Sequence, residues 1–387
     1  LNYNSNYDIL YKKVLKSEGI MNQKTIDLKP MGIGDVLDYS IEVFKSNFKT
    51  LALLTLILYL PWVFIESLIN GSVLGTNANL FGNMLKHILE GDYNGYLDEI
   101  GTYGSDSFSM SILSNMTSFL NMCYGITIKL VYNAAIIKIA YDYAVKNQKQ
   151  DFSFNNVKNN IKEGFGFMPR MMGNAFFFNL IVLGAYYISI FAAIFVIFFA
   201  LIFSVNLSFD QLSAGVLIVF YIMLFALLIL AALVCTAFFW VKLVFGANAV
   251  VCENASVFDS LKRSWNLSKG YFWQTGLICL FGFILFFVSG NMLTAASLFV
   301  STISKALFVL LYTVTNILNS FLYPFIMIFI TLAFINIKIK KEGLDLEVKV
   351  QSMFQKQFEV NNSVNYNVGY NANNNANYNA GGEYFND

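Results

Sequence analysis

Charge is what this sequence has least of. Asp, Glu, Lys and Arg make up 13% of its 387 residues, about half the roughly 25% of a soluble domain, too few to build a water-exposed surface. The charges present nearly cancel, at net +1, which excludes a strongly basic body for nucleic acid or an acidic one for cationic partners. Histidine is represented by His87 alone, so the paired imidazoles of many metal sites cannot be assembled. His87 beside Lys86 reads as a solvated loop residue; a pH-sensitive or metal-binding role is the alternative. The four cysteines, Cys123, Cys235, Cys252 and Cys279, fall in or beside apolar runs. They lack the close spacing of a zinc site or a small disulfide scaffold and read as reduced, membrane-embedded thiols. No P-loop, Rossmann fingerprint, zinc-helix motif or serine elbow occurs. No residue therefore stands out as catalytic, cofactor-binding or metal-binding.

What is abundant is apolar sequence, at 57% hydrophobic and 17% aromatic residues. A helix needs about 20 mostly apolar residues to cross a hydrocarbon core of about 30 Å, with its backbone bonds satisfied internally. Six segments are expected to do so, at about 50–69, 111–141, 175–204, 214–245, 271–300 and 306–337. The second is the weakest, because Asn121, Lys129, Asn133 and Lys138 interrupt it. The expected fold is thus an all-α integral membrane domain over 30–340. It follows an upstream segment, 1–29, that is disordered or lies ahead of the true start, with Leu1 and Met21 as the two candidate starts. The first apolar run begins too far along to be the h-region of a cleaved signal peptide. A cytoplasmic tail, 341–387, follows, Asn-rich from 361 and too poor in aliphatic residues to fold.

Positive residues are retained on the cytoplasmic side of a membrane. Of 25 Lys and Arg, only Lys86 and Lys305 fall in the loops that would face outward, and Lys129 lies inside a span. The other 22 predict cytoplasmic amino and carboxyl ends. The long outer loop, about 70–110, carries Glu90, Asp92, Asp98, Glu99 and Asp106 among Gly, Ser and Asn, and is expected to be exposed and partly irregular.

Each cytoplasmic segment leading into a helical pair shows a capping residue, a short amphipathic stretch and an aromatic cluster. Asp35 precedes Leu37, Ile41, Phe44 and Phe48, with Lys45 and Lys49 near the end. Ser153 precedes Phe154, Val157 and Ile161, with Lys158 and Lys162 interleaved, before Gly164. Ser256 and Asp259 precede Leu261 and Trp265, with Lys262 and Arg263 alongside. Such helices would lie along the surface, apolar side in the headgroup boundary and cations against anionic lipid. The expectation is three hairpins, each preceded by an interfacial helix; ordinary anchoring of any entering helix explains the same residues one copy at a time.

The third copy, Glu253-Asn254-Ala255-Ser256-Val257-Phe258-Asp259-Ser260-Leu261-Lys262-Arg263-Ser264-Trp265 with Gly270-Tyr271-Phe272-Trp273, resembles a bacterial family named for the membrane portion of glycerophosphodiester phosphodiesterases. The stretch from Gly32 to Phe48 is similar to that family's amino-terminal segment. The resemblance implies a fold. The hydrolytic barrel domain of the namesake enzymes needs two histidines and a carboxylate-bound metal, and this chain has one histidine.

Inside the spans, Lys129 is the most expensive residue, at about 2.5–3.5 kcal/mol near a helix centre. Either it lines a pathway, with Glu253 as partner, or it snorkels to the interface. Glu66 reads as the outer end of the first helix. Pro61 and Pro324 interrupt helical hydrogen bonding, and with Asn316 and Asn319 the bend at Pro324 either opens a polar seam or serves polar helix packing. Two functions follow as expectations. The first is a non-enzymatic envelope accessory or structural factor engaging anionic lipids through Lys45, Lys49, Lys158, Lys162, Lys262, Arg263 and Trp265. The alternative is a transporter or channel for a small solute or lipid, using Lys129, Glu253, Asn316 and Asn319. Membrane lipids and other membrane proteins are the expected partners, in a bacterial plasma membrane.

Overall fold

The computed structural model describes residues 29–346, apart from 151, 207–213, 302, 303 and 345. Every regular element among them is a helix. A short helix, α1 (Ile33–Ser46), turns at Asn47 into α2 (Phe48–Leu54), a π-helical turn (Thr55–Tyr59) and α3 (Leu60–Glu90). Then come α4 (Tyr93–Gly125), α5 (Ile128–Lys146), α6 (Phe154–Asn206), α7 (Ala214–Leu243), α8 (Gly246–Glu253), α9 (Val257–Ser268), α10 (Phe272–Ser301) and α11 (Lys305–Glu342). Five of these helical runs are long and apolar enough to cross a membrane, or six if α4 and α5 together make one span.

The weakest of the expected spans falls on a bent pair of helices: α4 and α5 meet at 41°. The break falls at Ile126 and Thr127. The Thr127 hydroxyl donates to the Cys123 carbonyl at 2.6 Å, satisfying a backbone group in the turn before the break.

The expected irregular outer loop is helical instead. Both α3 and α4 continue past the apolar stretch to a tight turn at Gly91 and Asp92, where Gly91 takes φ +71°. Asp92 caps α4, accepting from the Gly95 amide at 3.0 Å and lying 3.0 Å from His87 Nδ1. Composition rich in Gly, Ser and Asn lowers helix propensity by less than about 1 kcal/mol per residue. Packing of α3 on α4 overrides it.

The second amphipathic stretch is likewise no separate surface helix, because α6 runs unbroken through Gly164. Glycine there serves close approach rather than termination: a Cβ would stand 2.7 Å from the Val131 carbonyl of α5. The other two stretches, α1 and α9, are separate helices, but their inner faces meet protein. α1 buries Val36, Ser40 and Val43 and packs on α11 and α5. α9 buries Leu261 and Leu267 with Ser260, Ser264 and Ser268. Ser256 caps α9 as its sequence implies, paired with Asp259 at 2.6 Å. Asp35 sits one turn later than expected, inside α1, accepting from the Gly32 amide at 2.9 Å.

The centre of the fold is α11. Its apolar stretch is 61% buried, against 6% for α6 and α7. It packs on α3, α10, α1 and α5. The α3 contact depends on Gly71 and Gly75, a small-xxx-small pair whose Cβ positions would meet the Tyr312 ring at 3.0 Å and the buried Phe308 ring at 2.9 Å. Gly75→Leu should therefore cost about 1–3 kcal/mol by overpacking, lowering the thermal midpoint of the detergent-purified chain. Gly82→Leu, where nothing lies within 4 Å of the added Cβ, should leave it unchanged.

Candidate functional site

Two groups of polar side chains are brought together by these helices, and they differ in how completely they are satisfied. The first is an ion-pair cluster joining α8, α9 and α11. Arg263 donates Nε and Nη2 to the two Glu253 carboxylate oxygens at 2.7 and 2.8 Å. It also donates Nη1 and Nη2 to Glu342, each at 2.5 Å. Lys338 Nζ lies 2.9 Å from Glu253. The hydrogen bonds to Glu253, then those to Glu342, raise the Arg263 pKa further above its ordinary range. Glu253 is thus bound by Arg263 and Lys338, which corrects its expected pairing with Lys129.

Next to this cluster, the serines of α9 hold the break between α7 and α8. Ser264 donates to the Lys242 carbonyl at 2.9 Å and accepts from the Phe245 amide at 3.1 Å, while Ser260 accepts from Asn174 at 2.7 Å. Lys242, a largely buried residue, holds its ammonium 5.4 Å from the Trp265 and Phe272 rings and 5.8 Å from Phe238. Trp265 therefore has an intramolecular cation against it. Of the expected lipid-facing cations, Lys45, Lys49, Lys158, Lys162 and Lys262 are exposed, whereas Arg263 is committed to carboxylates.

The second group lies between two span-length helices, α3 and α11. Pro61 lacks the N–H that would continue the backbone ladder, and the preceding turn widens into the π-helical segment. That turn carries Tyr59 into a stack of aromatic rings. Tyr59 lies 5.3 Å from Tyr132 and 5.2 Å from Tyr323, and Trp62 stacks on Tyr124 at 5.3 Å. The hydroxyls are tied outward: Tyr124 to the Leu58 carbonyl at 2.9 Å, Tyr132 to Thr55 at 2.7 Å and Tyr323 to Asn133 at 3.1 Å.

Beside the stack is a cavity of about 180 Å³, walled by Glu66, Ser67 and Asn70 of α3 and by Tyr312, Asn316, Asn319, Ser320 and Tyr323 of α11. Asn316 and Asn319, expected as a polar seam, face this space, as does Glu66. The last corrects its reading as a helix end, since α3 continues for 24 further residues to Glu90. Lys129, in the first turn of α5, rests 5.4 Å from the Tyr323 ring centre, and its charge acts on Glu66. Among the described residues neither has an oppositely charged side-chain atom within 4.0 Å. The Asn319 carbonyl oxygen is buried without a hydrogen-bond partner. Sequence reasoning missed Glu66, Asn70, Tyr59 and Tyr312. The available signal was that Glu66 and Asn70, four apart, share a helix face.

Among the described residues no three His, Cys, Asp or Glu side chains converge as a metal ion would require. Comparison with protein-family models, with curated proteins and with solved structures returned no match. The site must be read from its own chemistry.

The Arg263 cluster is structural, and its geometry sets a test. Arg263→Ala should destabilise the chain by about 1.5–3 kcal/mol, the scale of hydrogen bonds to charged groups. Arg263→Lys should recover less than half of that, because an ammonium cannot reproduce the forked contacts. Thermal unfolding in detergent would distinguish the two variants, and equal midpoints for wild type and Arg263→Ala would contradict the structural role.

Proposed function

We propose that this chain is a non-enzymatic multi-pass membrane protein of six spans, α4 and α5 forming the second, whose polar cavity between α3 and α11 binds a small solute for passage or sensing. The observation that carries the reading is the cavity itself. A polar pocket holding a carboxylate is costly inside span-length helices, and intramembrane ionisable groups mark solute pathways by default. Its position beside a broken helix is the usual setting of such sites. The asymmetry of 22 Lys and Arg against Lys86 and Lys305 supports cytoplasmic ends and insertion in a bacterial plasma membrane. The likeness of 253–265 and 32–48 to the membrane domain of glycerophosphodiester phosphodiesterases supports a shared scaffold and no hydrolysis.

The solute reading is tested by thermal unfolding of the full chain in nanodiscs against a panel of small neutral, cationic and anionic solutes. A solute at about 100 times its Kd adds about 2.7 kcal/mol to stability, so one class should raise the midpoint clearly. Gly290→Leu should abolish the rise. Gly290 faces the cavity, and a Cβ there meets only Asn319 Nδ2, at 3.9 Å, so a longer side chain fills the space. A flat response of the wild-type protein to every class would remove this reading.

A second reading rests on one observation, the exposure of Lys45, Lys49, Lys158, Lys162 and Lys262. These cations suit anionic headgroups, each worth about 1 kcal/mol near a charged leaflet, and membrane lipids are then the partners. Native mass spectrometry should show less retained anionic lipid after Lys158, Lys162 and Lys262 are changed to Ala. Equal retention would leave these lysines with solvation alone.

A further inference from the structure

The chemistry of the cavity wall restricts what can occupy it. Several of its polar hydrogens are directed away from the space. Ser67 donates to the Val63 carbonyl at 2.5 Å and Ser320 to the Ile317 carbonyl at 2.6 Å, each within its own helix. The Asn316 amide donates to the Tyr312 carbonyl at 2.8 Å, and that assignment is forced, because a carbonyl only accepts. The Tyr323 hydroxyl donates to Asn133. The acceptors left for a ligand are the Glu66 carboxylate, the lone pairs of the two serines, the Asn316 oxygen and the buried, unpartnered Asn319 oxygen. Around them stand the rings of Tyr59, Tyr312 and Tyr323, whose faces attract cations.

An anion would meet the Glu66 carboxylate and the negative faces of three tyrosine rings. A neutral apolar molecule would leave Glu66 and Asn319 unsatisfied. A group that supplies both donors and positive charge satisfies them together. The volume, about 180 Å³, slightly exceeds the cavity of about 150 Å³ that holds benzene in an engineered protein core, so a ligand of a few heavy atoms fits. The cation whose charge acts on Glu66 is Lys129, held over the Tyr323 ring rather than in a contact ion pair. The same ring lines the cavity.

We propose that the cavity ligand is a small organic cation bearing an ammonium group, held by Glu66 and Asn319, and that Lys129 is the built-in cation whose charge the ligand replaces at Glu66. This rests on the solute-binding reading above and specifies the charge of the solute. The ammonium takes the Glu66 carboxylate and the Asn319 oxygen as acceptors, and its carbon substituents lie against the tyrosine rings. Lys129 compensates Glu66 when the cavity is empty and repels the ligand when it is filled. It therefore weakens binding, the opposite of what a pathway lysine recognising an anion would do.

The experiment is isothermal titration of the full chain, in nanodiscs of zwitterionic lipid, with ethylammonium, acetamide and acetate as probes of similar size and different charge. Ethylammonium should bind, and acetate should not. Glu66→Gln, which keeps the shape, should weaken ethylammonium by about 10- to 100-fold, the range for loss of one charged hydrogen bond. Lys129→Met should tighten it. Binding of acetate in preference to ethylammonium would overturn the proposal, assigning Lys129 as the ligand's partner while the solute-binding reading stands. Binding of acetamide alone would overturn the charge assignment and keep the cavity. Unchanged or weaker ethylammonium binding in Lys129→Met would overturn the role of Lys129. Silence of the wild-type protein to all three probes, with a neutral or charged solute of the larger panel still raising its midpoint, would overturn the cation proposal alone; silence in both assays would overturn both readings. The probe comparison is made on the wild-type chain, so it does not depend on any variant folding.

Discussion

The carboxyl-terminal part of α11 is buried on every side, and the positions of its neighbours follow from that. Ten of the twelve residues 328–339 are buried, so the helix has no lipid face there and must be surrounded. In hydrocarbon there is no hydrophobic gain from such enclosure, because lipid is as apolar as Leu; close packing and interhelical hydrogen bonds have to hold it. Both are present. Phe308 and Tyr312 lie against the glycines of α3. At the other end, Asn336 exchanges two hydrogen bonds with the Met31 backbone at 2.8 and 3.0 Å, and Thr331 meets Asn248 at 2.9 Å. Each such bond is worth only about 0.6 kcal/mol on average within a membrane, and their effect is to fix register. The chain segment ahead of α1, the helix α8 and the wall α3 are all keyed to one helix.

Polar groups around α11 are treated in two contrasting ways. Near its carboxyl end, Arg263, Glu253, Glu342 and Lys338 form a closed network in which each charge meets an opposite one at 2.5–2.9 Å. Midway along, Glu66, Lys129 and Asn319 are gathered on the same helix system without being closed. Buried polar groups are normally satisfied, and a fold that completes one network is capable of completing the other. The open one is where a ligand has something to offer, and the widened π-helical turn, a frequent mark of functional positions, opens beside it.

Much of the architecture was legible because a membrane span is a local property. Five of the apolar runs appear as long helices, and the one that looked weakest, with Asn121, Lys129, Asn133 and Lys138 inside it, is the run that the structure breaks between α4 and α5. The capping pair of Ser256 and Asp259 was equally local. The misread features were contextual. Gly164 looks like a terminator until Val131 is beside it, the segment from 70 to 110 looks irregular until α3 and α4 pack, and Arg263 looks like a lipid contact until Glu342, 79 residues away, reaches it.

What the sequence determined by itself is therefore helix, apolar length and the asymmetry of charge, because each depends only on neighbouring residues and on the solvent. Which charges meet was decided by tertiary structure alone. Glu253 and Lys129 look like partners in sequence, but the one is bound by Arg263 and the other rests against the Tyr323 ring. The physical reason is that Coulombic and hydrogen-bond energies fall off over a few ångströms. Spacing along a chain carries no distance between helices, and the cavity exists only once α3 and α11 are packed.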